Sequence, residues 1–132
     1  MPINNAINSV ITTFTPTPYG STTPGSPTGT FLAYYFRVGK MVFYNGSLYI
    51  SNVGGMVGEI RLPIPVPLDT SGFSSFTGNV GFRASITKAL TCSVAGNQFL
   101  ALQEFANNNP PILDTDLGSG DQLRFNIWYL GT

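Results

Sequence analysis

From Phe31 onward the chain reads as short runs of β-branched and aromatic residues separated by Gly, Asn and Pro, the texture of strands rather than helices. Phe31–Val38 is one such run, closed by a turn at Gly39 and Lys40. Met41–Val53 alternates, with Val42, Tyr44, Leu48 and Ile50 on one face and Met41, Phe43 and Tyr49 on the other. Asn45-Gly46 is a pair that often closes a two-residue hairpin, but the alternation continues through it, which predicts a single long strand with a kink. Gly58–Leu62 is a short strand stopped by Pro63, Pro65 and Pro67. Further strands are predicted over Val80–Lys88, Leu90–Val94 and Gln98–Phe105, the last two joined at Ala95, Gly96 and Asn97. The final run, Leu123–Leu130, puts Leu123, Phe125, Ile127 and Tyr129 on one face and Arg124, Asn126 and Trp128 on the other. A helix over Thr87–Phe105 is opposed by Gly96 and its β-branched neighbours. About seven strands at intervals of about 8 to 12 residues indicate an all-β domain, an antiparallel β-sandwich of jelly-roll type.

The first thirty residues differ. Met1–Thr30 is rich in Thr, Pro, Asn, Ser and Gly, and Pro16, Pro18, Pro24 and Pro27 exclude a helix and disfavour a central strand. The expected organisation is an extended arm over 1–30 and a β-sandwich body over 31–132. Ile3, Val10, Ile11, Phe14 and Tyr19 are the arm's candidate anchors, and contact with another chain is the simplest way to order so polar a segment. No internal repeat is visible.

Composition sharpens this picture. Only 9% of the 132 residues are charged, against a usual share of about a quarter, while the hydrophobic share of 42% is ordinary. Six acids balance six bases, and a neutral, weakly charged surface favours association over mutual repulsion. Arg37, Lys40, Arg61, Arg83, Lys88 and Arg124 are scattered singly, so the clustered cations that nucleic acids and anionic membranes require are missing. No segment approaches the roughly 20 apolar residues of a membrane span. Met1–Asn8 lacks the basic start and apolar run of a signal peptide, and synthesis in a cytoplasm is expected.

Candidate chemistry is sparse. Histidine is absent, which removes the commonest general base and metal ligand and disfavours hydrolase triads. Cys92 lies in an alternating stretch with Leu90 and Val94, the setting of a core residue. Asp114, Asp116 and Asp121 are spaced closely enough to wrap calcium, but the spacing departs from the EF-hand loop; a tight turn before the last strand explains them as well. A carboxylate pair for glycoside hydrolysis is conceivable from Glu59, Glu104 and these aspartates, but so few acids make it a weak reading. The expectation is no catalytic site, no cofactor and no required metal. Tyr34, Tyr35 and Phe36 are adjacent and must point to both faces of their strand, so one face beyond the core is apolar and needs cover. A sugar-binding platform would also use exposed rings, but rings on strands more often fill a core or a subunit interface.

The order of motifs carries a resemblance. Phe14-Thr15-Pro16-Thr17 is followed by Tyr35-Phe36-Arg37-Val38-Gly39-Lys40-Met41-Val42-Phe43, then Gly58-Glu59-Ile60-Arg61-Leu62-Pro63, then Gly120-Asp121-Gln122-Leu123-Arg124-Phe125-Asn126-Ile127-Trp128-Tyr129. Over about three-quarters of its length the chain resembles small β-sandwich virion proteins of tailed bacteriophages, the capsid decoration or cement proteins and tail-fibre head domains. The resemblance implies a homotrimer on the outer surface of the virion, made in the host cytoplasm, with the major capsid protein or other virion proteins as partners. A fibre-head role, contacting a host surface receptor, is the alternative. Tyr35, Tyr49 and Trp128 are the residues expected at the trimer contact.

Overall fold

The computed structural model describes residues 10–72, 75–96 and 98–132, with the side chains of Phe82 and Arg83 left out. Nine strands follow in chain order: β1 (Thr12–Phe14), β2 (Tyr19–Gly20), β3 (Thr28–Val38), β4 (Met41–Asn52), β5 (Ile60–Pro63), β6 (Ser75–Ala84), β7 (Leu90–Ala95), β8 (Phe99–Glu104) and β9 (Asp121–Leu130). Among the described residues the only helical element is a single 3-10 turn over Asp114–Asp116. The protein is all-β, and its strands pair antiparallel in one curled sheet, a half-barrel, in the order β1-β3-β4-β9-β6-β7-β8-β5-β2.

Two facing sheets are expected from the strand spacing, whereas the pairing runs continuously through all nine strands. Spacing along the chain cannot register this, because the links that join the two halves are made by residues distant in sequence: β4 pairs with β9, and β9 with β6. Register shifts between Val80 and Phe82 on β6 and between Thr28 and Gly29 on β3 add the local bends that curl a sheet.

The concave face holds the core. Val42, Tyr44, Leu48 and Ile50 of β4 are buried with Leu123, Phe125, Ile127 and Tyr129 of β9, as the alternation of both strands predicts. Cys92 and Val94 of β7, Leu100 and Leu102 of β8, and Ile60 and Leu62 of β5 complete one cluster from the other flank. Asn45-Gly46 stays inside β4, as the unbroken alternation predicts. Gly46 faces Phe125 across the β4–β9 pair, and any Cβ there would collide with the Phe125 ring. The glycine therefore makes room for an aromatic residue rather than a turn. Phe125 in turn packs edge-on to Tyr44, with ring centroids 5.0 Å apart. The true β3–β4 turn is at Gly39, whose φ of +58° suits glycine.

Two buried tyrosines fasten the proline-rich segment after β5. The Tyr129 hydroxyl donates to the Val66 carbonyl at 2.7 Å and accepts from the Val66 N–H at 3.2 Å. The Tyr44 hydroxyl donates to the Pro63 carbonyl at 2.9 Å. Burial pushes the Tyr129 phenol up to about 12 and raises that of Tyr44 further, so both stay protonated and able to donate.

The expected N-terminal arm contributes two short strands to the sheet, and its last residues open β3. β1 pairs with β3 through Thr12↔Tyr35 and Phe14↔Ala33, and β2 pairs with β5 through Tyr19↔Arg61. The prolines do exclude central strands, but Thr12–Phe14 and Tyr19–Gly20 contain none and lie at the two edges, where short strands are tolerated. β3 begins at Thr28 rather than Phe31, and β6 spans Ser75–Ala84 rather than Val80–Lys88. Ile3, and Asn97 of the expected β7–β8 turn, lie outside the described residues.

Candidate interaction surface

Residues opposite one another on paired strands fall into rows across the sheet, and on the convex face of β3, β4 and β9 these rows define a surface. Leu32, Ser47 and Arg124 form one row, Tyr34, Asn45 and Asn126 the next, and Phe36, Phe43 and Trp128 the third. Asn79 of β6 extends the middle row beyond Asn126. Leu32, Tyr34, Tyr49 and Trp128 are 58%, 54%, 40% and 47% exposed, an unusual concentration of large apolar side chains on one face. Ile11, ahead of β1, joins Tyr34 and Phe36 around a hollow of about 350 Å³.

The rings are held in place from within the molecule. Phe36 and Phe43 stack at 4.8 Å with their planes 9° apart. The Trp128 indole leans on Phe76 at 5.4 Å. Between these residues lie two further depressions, one of about 450 Å³ beside Leu32, Tyr34, Ser47 and Arg124, the other of about 330 Å³ beside Phe43, Thr77 and Trp128. Asn45 borders all three hollows.

Of the residues expected at a trimer contact, Tyr49 and Trp128 stand on this face. Tyr35 does not. It is half-buried on the concave side, opposite Tyr44 and edge-on to Phe14 at 6.4 Å. Three consecutive aromatic residues leave the phase of the strand open, and pairing with β4 decides it by turning Tyr34 and Phe36 outward. Of the expected arm anchors, Phe14 packs on Tyr44 at 5.9 Å and Tyr19 is half-buried on β5, so both serve the chain's own body. Val10 and Ile11 remain 76% and 66% exposed. Leu32 and the asparagine row carry no local sequence signal. Their signal is a coincidence of register among three strands far apart in the chain.

The candidate chemical groups are occupied locally. Asp114 accepts from the Gly58 N–H at 2.8 Å, Asp116 from the Leu113 N–H at 2.9 Å, and Asp121 from the Gly118 N–H at 2.7 Å. Burial raises the Asp116 carboxyl, but the Leu113 N–H and Lys88, 3.0 Å away, outweigh it and hold the group below its ordinary value. Among the described residues no three His, Cys, Asp or Glu side chains gather as they would around a metal ion. Asp116 and Asp121 instead satisfy backbone donors of the loop leading into β9, and Asp114 ties that loop to the Gly58 N–H ahead of β5. Glu59 pairs with Arg61 at 3.4 Å and Glu104 with Lys88 at 3.5 Å. Burial pushes the Cys92 thiol up to about 12, so its thiolate is scarcely populated near neutral pH. A chelator is accordingly expected to leave the melting temperature unchanged. A clear fall would reveal an ion bound by the folded state alone and would make the Asp114–Asp121 loop a calcium site.

Comparison with family models, with curated proteins and with solved structures finds no match to this chain. Among the described residues no helix is long and apolar enough to cross a membrane.

Proposed function

We propose that the chain is a non-enzymatic structural protein of a bacteriophage virion, a trimeric capsid decoration or cement protein that stabilises the shell. The observation that carries this reading is the convex apolar flank made by Leu32, Tyr34 and Tyr49 on a protein with so little charge. Such a flank in water asks for a partner, and a neutral surface lets copies of the same chain supply it without mutual repulsion. The three-fold state and the virion setting come from the resemblance. The curled sheet suits it, because β3-β4-β9 and β7-β8-β5 contribute side chains to one core from two flanks, as the layers of a jelly-roll sandwich do.

In this scheme the described body is the rigid part. The chain leading into β1, with exposed Val10 and Ile11 and Ile3 upstream, reaches the major capsid protein or another virion neighbour. Three such segments per trimer act together, so that modest single contacts become strong through effective concentration.

The test is add-back to purified particles that lack the protein. The intact chain should bind. A variant lacking residues 1–9 keeps every described strand, and should retain its melting temperature and oligomeric state while losing binding about tenfold or more. Undiminished binding would give the attachment to the body instead of the leading segment. Failure of the intact chain to bind would remove the decoration role.

A further inference from the structure

Beyond the apolar flank, across the asparagine row, the hollow of about 330 Å³ beside Trp128 has a different chemistry. It is lined by Phe43, Asn45, Thr77, Asn79, Asn126 and Trp128 together with Gly78 and Ile127, and none of these is charged. Asn45, Asn126 and Asn79 face one another across three neighbouring strands and are exposed. Among the described residues their carboxamides make no hydrogen bond. Strands lie about 4.8 Å apart, so the amides repeat at about the length of one pyranose ring. Each amide both donates and accepts, as a ligand rich in hydroxyls requires, and Thr77 adds a hydroxyl. Trp128 stands half exposed beside them, held by Phe76.

Other ligand classes fit less well. Phosphates, carboxylates and nucleic acids need cationic partners that this lining lacks. An extended peptide would add to a strand edge, but β4, β9 and β6 are interior strands with neighbours on both sides. A purely apolar ligand would desolvate three amides without replacing their bonds to water. A neutral sugar meets every requirement, with its C–H face against the indole and its hydroxyls on the amides. We propose that this hollow binds a neutral oligosaccharide, with Trp128 as the stacking platform and Asn45, Asn79, Asn126 and Thr77 as hydrogen-bonding groups. The site adjoins the flank assigned to self-association, sharing Asn45 with its hollows, but does not rest on that assignment.

Trp128 is the single tryptophan of the chain, so its fluorescence reports on the hollow directly. The full-length protein would be titrated with chitotriose, maltotriose and cellotriose to about 10 mM, a range that captures even weak sites. A saturable emission change with at least one of them is expected. Asn79→Ala and Asn126→Ala should weaken that binding by about tenfold or more with unchanged melting, since both positions are exposed. Leu32→Ala should leave it intact. No saturable response to any of the three sugars, and no binding on an array of neutral glycans, would overturn the proposal. So would an emission shift that follows protein concentration and ignores sugar, which would show that a second copy covers the hollow.

Discussion

Replacing Tyr129 by alanine should leave the protein largely unfolded at 25 °C. The side chain is fully buried in the middle of the core, and its hydroxyl serves both the carbonyl and the N–H of Val66. Truncating a large buried ring costs about 3–5 kcal/mol in lost packing. Leaving two buried backbone groups without their partner adds about 1–3 kcal/mol. Against a total stability of about 5–15 kcal/mol, the combined loss approaches or exceeds what a small domain has to spare. Tyr129→Phe keeps the ring and should cost only about 1–3 kcal/mol, the contribution of the hydroxyl. Urea titration of both variants separates the two effects. Tyr129→Ala melting within a few degrees of the parent protein would show that the strap over Val66 and the ring beneath it matter little to the fold.

The second large effect is expected at the convex flank. Leu32→Asp and Tyr34→Asp each place a carboxylate where the proposed contact would bury it without a partner, a penalty of several kcal/mol, enough to weaken association by about a hundredfold or more. Both side chains are more than half exposed in the single chain, so the fold itself should survive. Val57→Asp is the matched control, since Val57 is also an exposed apolar residue, 44% accessible, but belongs to the loop before β5. Sedimentation should show subunits dissociating for the first two variants and unchanged for the third. Equal behaviour of all three would detach self-association from this flank.

What the sequence disclosed and what it hid follow from the range of the interactions involved. On β4 and β9 the phase of the alternation is plain, because one face is apolar and the other mixed; the buried sets Val42, Tyr44, Leu48, Ile50 and Leu123, Phe125, Ile127, Tyr129 are legible without coordinates. On β3 the phase is illegible, because Tyr34, Tyr35 and Phe36 suit either face. Gly78 and Gly81 erase the pattern of β6, which explains why its start at Ser75 escapes a reading based on apolar runs. Thr12–Phe14 and Tyr19–Gly20 are too short to show any period, and only the strands beside them make them strands. The asparagine row is the extreme case. Asparagine is a poor strand former that reads locally as a turn, and its grouping depends on positions 45, 79 and 126 meeting through two separate pairings.

Self-assembly is tested most directly by the mass of the native protein in solution. Light scattering coupled to size exclusion at about 10 µM, a concentration at which a specific interface is populated, should give three times the 14.1 kDa of one chain. A stable particle of 14.1 kDa under the same conditions would contradict it.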